Sequence, residues 1–127
     1  MYKRQVSQQD VPALYKGSLF LVFPSLCENC PRVLIEAMSL GVPIVCSNIS
    51  VMPEICGDAA LYFDPYDIDD IARKIIEVAT DDELRCKLRQ TALEQSKRFP
   101  TWKEVAHDTL QVLGSIGRTP TKSASQQ

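Results

Sequence analysis

One apolar run, residues 19–23 (LFLVF), constrains the fold of this sequence more than any other feature. The run has no polar alternation, which predicts a strand covered on both faces, as in a parallel sheet. A second apolar run, residues 43–46, predicts another buried strand, and residues 31–40 between them predict a helix that stops at Gly41. The order strand, helix, strand indicates an α/β protein with helices on both faces of a parallel sheet.

Shorter signals complete the predicted order of elements. A brief helix stops near Gly17 before the first strand, residues 53–56 form one helical turn, and residues 60–63 form a third strand. The C-terminal third of the chain is predicted to be helical. Side chains able to cap a helix stand at three predicted helix starts: Asp67, Thr80 with Glu83, and Thr101 with Glu104.

Composition limits the size of the protein and the class of its partners. With 127 residues, 45% of them hydrophobic, the chain supports one packed domain. Its 14 Lys and Arg are offset by 16 Asp and Glu, so no basic excess indicates a nucleic-acid partner. No apolar run approaches the roughly 18 residues of a membrane span, and residues 5–10 are polar where an export signal is apolar. We therefore expect no membrane span and a cytoplasmic location.

Three polar residues form one narrow stripe on the helix of residues 31–40. Arg32, Glu36 and Ser39 follow helical spacing, while apolar residues cover the other sides. Glu28 precedes this helix in the loop after the first strand, where open α/β sheets place ligands. Free amides at a helix start attract a diphosphate, and carboxylates accept hydrogen bonds from sugar hydroxyls, so the pattern suits a nucleotide sugar. An exposed Arg32–Glu36 ion pair, with Glu28 favouring the helix dipole, explains the same residues without a ligand.

The cysteine pattern offers another alternative. Five cysteines at irregular spacing make no disulfide framework and fit a reducing compartment. Cys27 and Cys30, just before a helix, have the spacing of a thioredoxin-like redox pair. That function is disfavoured because the elements that precede such a pair in that fold are missing here. No second CxxC motif completes a zinc site, and we expect no metal.

Two further polar signals are better explained as surface structure. Asp67 and Asp69 have the spacing of a metal-binding DxD motif but fit a capped, acidic first turn of a helix. His107, the only histidine, shares a helix face with Lys103 and Gln111, which predicts a solvated side chain. General-base catalysis by histidine is therefore not expected.

A longer pattern contains the two glutamates. Residues 23–45 read F-P-S-x-x-E-x-C-P-x-V-x-x-E-A-M-x-x-G-x-P-I-V, in which seven residues separate Glu28 from Glu36. This pattern resembles the donor-site signature of family 4 glycosyltransferases. Further matches at residues 53–54, 57–60, 63–65 and 98–99 and at Trp102 extend the resemblance over roughly residues 6–113.

The resemblance implies a fold and a set of site residues. Members of the family have the GT-B fold, in which two Rossmann-like domains enclose a cleft. The resemblance places Glu28 near the donor hexose, as the catalytic residue, and Glu36 near the nucleotide ribose. Backbone groups along the hexose and diphosphate would come from Asn29, Cys30, Arg32 and Val33. Asn29 and Pro31 stand where many members have glycine, so the hexose preference is not carried over.

The implied activity is retaining transfer of a hexose from a UDP- or GDP-sugar, with no cofactor. The acceptor would be a glycan, a lipid-linked sugar or a small molecule. Peripheral membrane association of a full-length enzyme stays open. A different alternative is a nucleotide-binding module without catalytic activity.

The resemblance also predicts the domain organisation. It begins in the latter half of the family's C-terminal domain, which implies a fragment without the N-terminal domain, inactive on its own. Residues 1–5 resemble a translated sequencing-library adapter and are predicted to be a non-native extension. Residues 6–116 are predicted to be a partial donor-binding domain. Residues 117–127 are predicted to be a disordered tail, because apolar residues are sparse at the C-terminus.

Overall fold

Three parallel strands, β1 (Leu21–Phe23), β2 (Ile44–Ser47) and β3 (Ala60–Phe63), form the sheet of the computed structural model, which describes residues 6–116. The strands lie in chain order, and β2 pairs with both neighbours. Each connection between neighbouring strands contains a helix, as parallel pairing requires. The predicted α/β class, with a Rossmann-like parallel sheet and flanking helices, is confirmed.

The described residues form six α-helices: α1 (Val11–Gly17), α2 (Arg32–Ser39), α3 (Met52–Cys56), α4 (Ile68–Thr80), α5 (Asp82–Ser96) and α6 (Trp102–Ile116). A short 3-10 turn, Gly57–Ala59, joins α3 to β3. None of the helices in this part of the chain is both long enough and apolar enough to cross a membrane. Residues 1–5 and 117–127, predicted to be an extension and a tail, lie outside the described residues.

The two faces of β2 point into separate cores. Ile44 and Cys46 pack with buried residues of α2 and α3 on one face. Val45, between them in sequence, packs on the other face with Phe63 and with Val78 of α4. This alternation of faces is the normal geometry of a strand. Because both faces are covered, all four residues of β2 are buried.

The prediction for the first strand was wrong in its length and its burial. β1 covers three residues instead of residues 19–23, and each of them is only half-buried. Leu19 is 52% exposed. The physical reason is position in the sheet: β1 pairs only with β2 and forms an edge of the described sheet, whereas β2 has a neighbour on each side.

Of the three capping signals at Asp67, at Thr80 with Glu83 and at Thr101 with Glu104, the first and the last are found in the structure. The Asp67 carboxylate accepts the backbone N–H groups of Asp69 and Asp70. Thr101 and Glu104 form the predicted reciprocal pair, with the Thr101 N–H 2.7 Å from Glu104 Oε2 and the Glu104 N–H 3.3 Å from Thr101 Oγ1. Both N-terminal signals are therefore confirmed.

The predicted capping box of Thr80 and Glu83 was wrong. Asp81 is the N-cap of α5, and its carboxylate accepts the Leu84 N–H at 2.8 Å. Thr80 is instead the last residue of α4, and its hydroxyl donates to the Ile76 carbonyl. The two helices are separated by a single residue, so α4 includes the threonine and leaves only the aspartate in an extended capping conformation.

Candidate functional site

The segment that carries Glu28 lies at the carboxyl edge of the parallel sheet. Residues 24–31, here called the β1–α2 loop, leave the end of β1 and enter α2. Phe23 is paired with Cys46 in the sheet register, and Ser47, one residue further along, ends β2 at the same edge. Parallel sheets bind ligands at this edge, because the loops that follow neighbouring strands meet there.

Three serine hydroxyls fix the β1–α2 loop. The buried Ser47 hydroxyl donates to the Ser25 carbonyl at 2.8 Å. The Ser25 hydroxyl donates to Glu28 Oε1 at 2.7 Å. The Ser50 hydroxyl donates to the Glu28 carbonyl at 3.0 Å. The half-buried Glu28 is therefore held through both its side chain and its backbone, rather than left free in solvent.

The start of α2 lacks a capping side chain. Pro31 occupies the N-cap, one residue outside the helix, with ψ 85°, so α2 begins at Arg32 rather than at the predicted Pro31. The Leu34 N–H donates to the Pro31 carbonyl at 3.0 Å, whereas the earlier amides of Arg32 and Val33 precede the regular intrahelical pattern. Both of these residues are exposed. Within the described residues, no side chain caps α2 and its first turn holds no acidic residue, so its positive end is open to an anionic group.

Glu36 lies one helical turn further along α2 and faces a recess. It lines a groove of about 440 Å³ between α1 and α2, together with Gln8, Val11, Pro12, Tyr15, Ser39 and Leu40. The Tyr15 hydroxyl lies 3.5 Å from the Val33 carbonyl, at the edge of hydrogen-bonding distance. Burial, followed by the negative charge of Glu36, raises the pKa of the Tyr15 phenol. The exposed Glu36 carboxylate therefore borders a partly enclosed space.

The alternative explanation of Arg32 and Glu36 as a surface ion pair was wrong. The Arg32 guanidinium lies over the Trp102 ring, 3.8 Å from its centroid, at the start of α6. The ion pairs found in residues 6–116 join other side chains, on α4 and α5. Arg32 thus connects α6 to the start of α2, and Glu36 is left without a cationic partner in this part of the chain.

The remaining predicted site residues form one continuous exposed segment. Asn29 and Cys30 complete the β1–α2 loop before Pro31, and Arg32 and Val33 follow in the first turn of α2. Cys27 and Cys30 are free thiols, both exposed. The structure therefore places the predicted backbone residues between the two glutamates, with Glu28 in the loop and Glu36 beside the groove.

Four residues near these glutamates were not singled out from the sequence. Ser25 belongs to the pattern of residues 23–45, but no role followed from the pattern for it. Ser47, at the end of β2, and Ser50, just after that strand, contact the loop from more than 20 residues away, and no local signal marks them. Tyr15 comes to face residues 31–40 only when α1 packs against α2, so its position near Glu36 could not be predicted from the sequence.

A second groove lies at the junction of α5 and α6. It measures about 790 Å³ and is lined by Lys97, Arg98, Phe99, Pro100, Lys103, Glu104, His107 and Asp108. His107 is exposed, as predicted, with Nε2 2.8 Å from Gln111 Nε2. Although this groove is the larger of the two, no strand end contributes to it, so we place the candidate site at the start of α2.

Comparison with known protein families gives a single clear result. The family model for glycosyl transferases group 1 matches residues 1–95. The matched range includes the β1–α2 loop, α2 and both candidate glutamates.

Two bacterial proteins illustrate the similarity. O-antigen chain mannosyltransferase B of Escherichia coli is 38% identical over 109 residues, which cover 86% of this chain and 28% of that protein. Serotype-specific mannosyltransferase WbdA of Escherichia coli is 36% identical over 102 residues, covering 80% of this chain and 12% of that protein. The chain therefore spans less than a third of the length of these relatives.

A solved structure shares the fold. Sucrose-phosphate synthase from Thermosynechococcus elongatus superposes with a TM-score of 0.81 and 21% sequence identity, covering 94% of this chain and 31% of that one. At this identity, the similarity establishes the arrangement of strands and helices alone.

Proposed function

This chain belongs to the glycosyl transferases group 1 family, and on that premise we propose that its β1–α2 loop and α2 form one wall of a nucleotide-sugar donor site. The observation that carries the proposal is the open start of α2, with the restrained Glu28 before it and the Glu36 groove after it. These three features bring an anion-attracting helix end between two hydrogen-bond-accepting carboxylates.

The parts of a nucleotide sugar match this arrangement. The diphosphate lies along the first-turn amides of α2, at Arg32 and Val33, where the helix dipole favours negative charge. The ribose hydroxyls donate to Glu36, and the nucleoside enters the groove between α1 and α2. The hexose lies over Asn29 and Cys30, within reach of Glu28. The nucleotide is UDP or GDP.

We propose mannose as the transferred sugar. Two relatives that are more than 35% identical to this chain are mannosyltransferases. The residues between the two glutamates are close to the proposed hexose position, so they are expected to contribute to this preference. The acceptor is a glycan, a lipid-linked sugar or a small molecule.

The proposed reaction retains the anomeric configuration, and the proposed subgroup is family 4 of the glycosyltransferases. Both rest on the pattern of residues 23–45. As the bond between the sugar and the diphosphate breaks, negative charge develops on the leaving phosphate, which the start of α2 stabilises. Glu28 orients the hexose. In this proposal the chain corresponds to the latter half of the donor-binding domain of a GT-B enzyme, and another domain binds the acceptor.

The proposal is tested by donor binding and turnover in an enzyme that contains this segment and an acceptor domain. Glu36→Ala is expected to weaken nucleotide affinity with little effect on kcat, because ribose contacts exist in the ground state and the transition state alike. Glu28→Ala is expected to lower kcat more strongly, since it acts at the hexose.

The matched control is Glu94→Ala, which removes an exposed carboxylate from α5, away from the loop. If Glu28→Ala and Glu36→Ala both show wild-type kinetics, the two glutamates are surface charges with no role at a donor site, and the proposal is contradicted. Nucleotide binding without any sugar transfer would instead favour the noncatalytic module.

A further inference from the structure

We propose that Cys27 and Cys30 form a reversible thiol–disulfide site that brackets Glu28 in the β1–α2 loop, and that its oxidation disables the donor site. The effect on the donor rests on the proposed function above. The thiol chemistry does not depend on that function, because it follows from the exposure and spacing of the two cysteines.

Accessibility distinguishes these two cysteines from the others. Cys27 and Cys30 are both exposed and free, three positions apart. Cys46 and Cys56 are fully buried in the core between the sheet and α2, so a dissolved oxidant cannot reach them without local unfolding. Cys86 is exposed, but it lies on α5 and lines a groove formed by residues of that helix and its N-cap, Asp81. In the described chain, only the first pair combines exposure with a close neighbour in sequence.

The loop geometry is compatible with a disulfide between Cys27 and Cys30, which would enclose Glu28. A disulfide requires the two Cα atoms to lie about 4.4–6.8 Å apart, which a three-residue spacing satisfies when the backbone turns. The loop already bends at Asn29, between the two cysteines. Glu28 and Asn29 would be the two residues enclosed by the new ring.

The reduced loop is held by contacts that the disulfide would disturb. The Ser25 hydroxyl lies 2.7 Å from Glu28 Oε1 and 3.4 Å from the Cys27 carbonyl. The Ser50 hydroxyl lies 3.0 Å from the Glu28 carbonyl. Joining the flanking sulfur atoms fixes the dihedral angles of the enclosed residues, so the Glu28 carboxylate and the nearby amides leave the positions used in the proposed donor site.

The oxidant required is a low-molecular-weight disulfide, such as oxidised glutathione. One cysteine, as its thiolate, attacks this disulfide, forms a mixed disulfide and releases the first glutathione thiol. The second cysteine then attacks the protein sulfur of the mixed disulfide and releases the second glutathione. Overall, two protein thiols lose two protons and two electrons to form one S–S bond, and the oxidant is reduced to two thiols.

Mass spectrometry of the full chain tests the chemistry. After incubation with oxidised glutathione, we expect the peptide containing residues 27–30 to lose two hydrogen atoms and to carry no glutathione, and dithiothreitol to reverse the change. Cys27→Ser and Cys30→Ser are each expected to leave a glutathione adduct on the remaining cysteine. Cys86→Ser is the matched control and should leave the 27–30 disulfide unchanged. Stable glutathione on both Cys27 and Cys30, or a bond from either to Cys86, overturns the proposal.

Amide hydrogen exchange tests the effect on the loop without a ligand. In Cys86→Ser protein, oxidation is expected to change exchange at residues 28–33 and to leave α4 unaffected. Identical exchange in the two redox forms overturns the proposed effect.

Titration with UDP and GDP separates the two proposals. If the reduced chain binds either nucleotide, oxidation is expected to abolish saturable binding, and unchanged binding contradicts the inference. If the reduced chain binds neither nucleotide, the proposed function fails, while the thiol site is judged by mass spectrometry and hydrogen exchange.

Discussion

At the scale of single residues, the position of Glu28 depends on hydroxyl groups that lie outside the loop as well as in it. Ser25 contacts the carboxylate directly, and Ser47 holds Ser25 through its carbonyl. Ser50 holds the Glu28 backbone and has a φ of 57°, in the left-handed region where residues other than glycine are strained. A strained residue that contacts a candidate catalytic residue suggests that the loop conformation is maintained for binding rather than for stability.

Ser25→Ala tests this dependence. Loss of the hydroxyl is expected to lower the free energy of unfolding by about 1 kcal/mol, because a partly exposed carboxylate loses one donor. It should also weaken binding of the nucleotide sugar more than binding of the nucleoside diphosphate, since Glu28 acts at the hexose. Urea denaturation and calorimetric titration measure the two effects.

The control for that variant is Ser115→Ala, which removes an exposed hydroxyl that donates to a carbonyl of its own helix, α6, outside the β1–α2 loop and the groove beside Glu36. The role of Ser25 is contradicted if both variants reduce nucleotide-sugar binding to the same extent.

Tyr62 provides a pH-dependent test of the packing around β3. Burial raises the pKa of its phenol, and its hydroxyl donates to the Gly57 carbonyl at 2.6 Å. Because the folded-state pKa lies above the unfolded value of about 10, folding favours the neutral phenol. The stability from this group is therefore complete below about pH 10 and decreases as the pH rises through the folded-state pKa.

Urea denaturation between about pH 9 and pH 11 should show this decrease, and Tyr62→Phe should make it smaller. The control is Tyr66→Phe, because Tyr66 is 76% exposed. An equal pH dependence in wild type and Tyr62→Phe would show that Tyr62 does not contribute to it.

At the scale of elements, local sequence patterns predicted the order of strands and helices. The burial of each strand could not be predicted in the same way, because it depends on the position of the strand in the assembled sheet. The helix at residues 31–40 and its stop at Gly41 follow from local sequence, and Gly41 has the expected left-handed φ of 66°. The half-buried state of β1 does not follow from local sequence, since the same apolar run suits a central strand or an edge strand. The contacts of Ser47 and Ser50 with the loop also depend on packing between distant segments.

The cap of α5 gives a prediction at this scale. Thr80 and Asp81 are adjacent, and either side chain is chemically able to cap a helix, but only Asp81 accepts an N–H of α5. Asp81→Ala is expected to lower the free energy of unfolding by about 1 kcal/mol. Thr80→Ala should change it by less than about 0.5 kcal/mol, as for other surface substitutions. Urea denaturation of the two variants measures both changes. A larger loss of unfolding free energy in Thr80→Ala than in Asp81→Ala contradicts the assignment of Asp81 as the cap.

At the scale of the whole molecule, the candidate site is one wall rather than an enclosed pocket. The two glutamates and the residues between them were predicted from the sequence pattern, and the structure brings them onto one loop and one helix. The recess beside Glu36 and the stacking of Arg32 on Trp102 could not be predicted, because both join segments distant in sequence. Because an open wall leaves the donor accessible to water, we expect this chain to bind the donor weakly.

The central claim is that a nucleoside diphosphate binds at the start of α2 between Glu28 and Glu36. Titration of isotopically labelled chain with UDP and GDP, followed by amide NMR, locates binding directly. We predict shift changes concentrated at residues 27–36, with a dissociation constant of about 1 mM, or about −4 kcal/mol, and their loss in Glu36→Ala. The claim is contradicted if the shifts concentrate instead at the α5–α6 groove, if Glu36→Ala binds like wild type, or if neither nucleotide shifts any amide of residues 27–36.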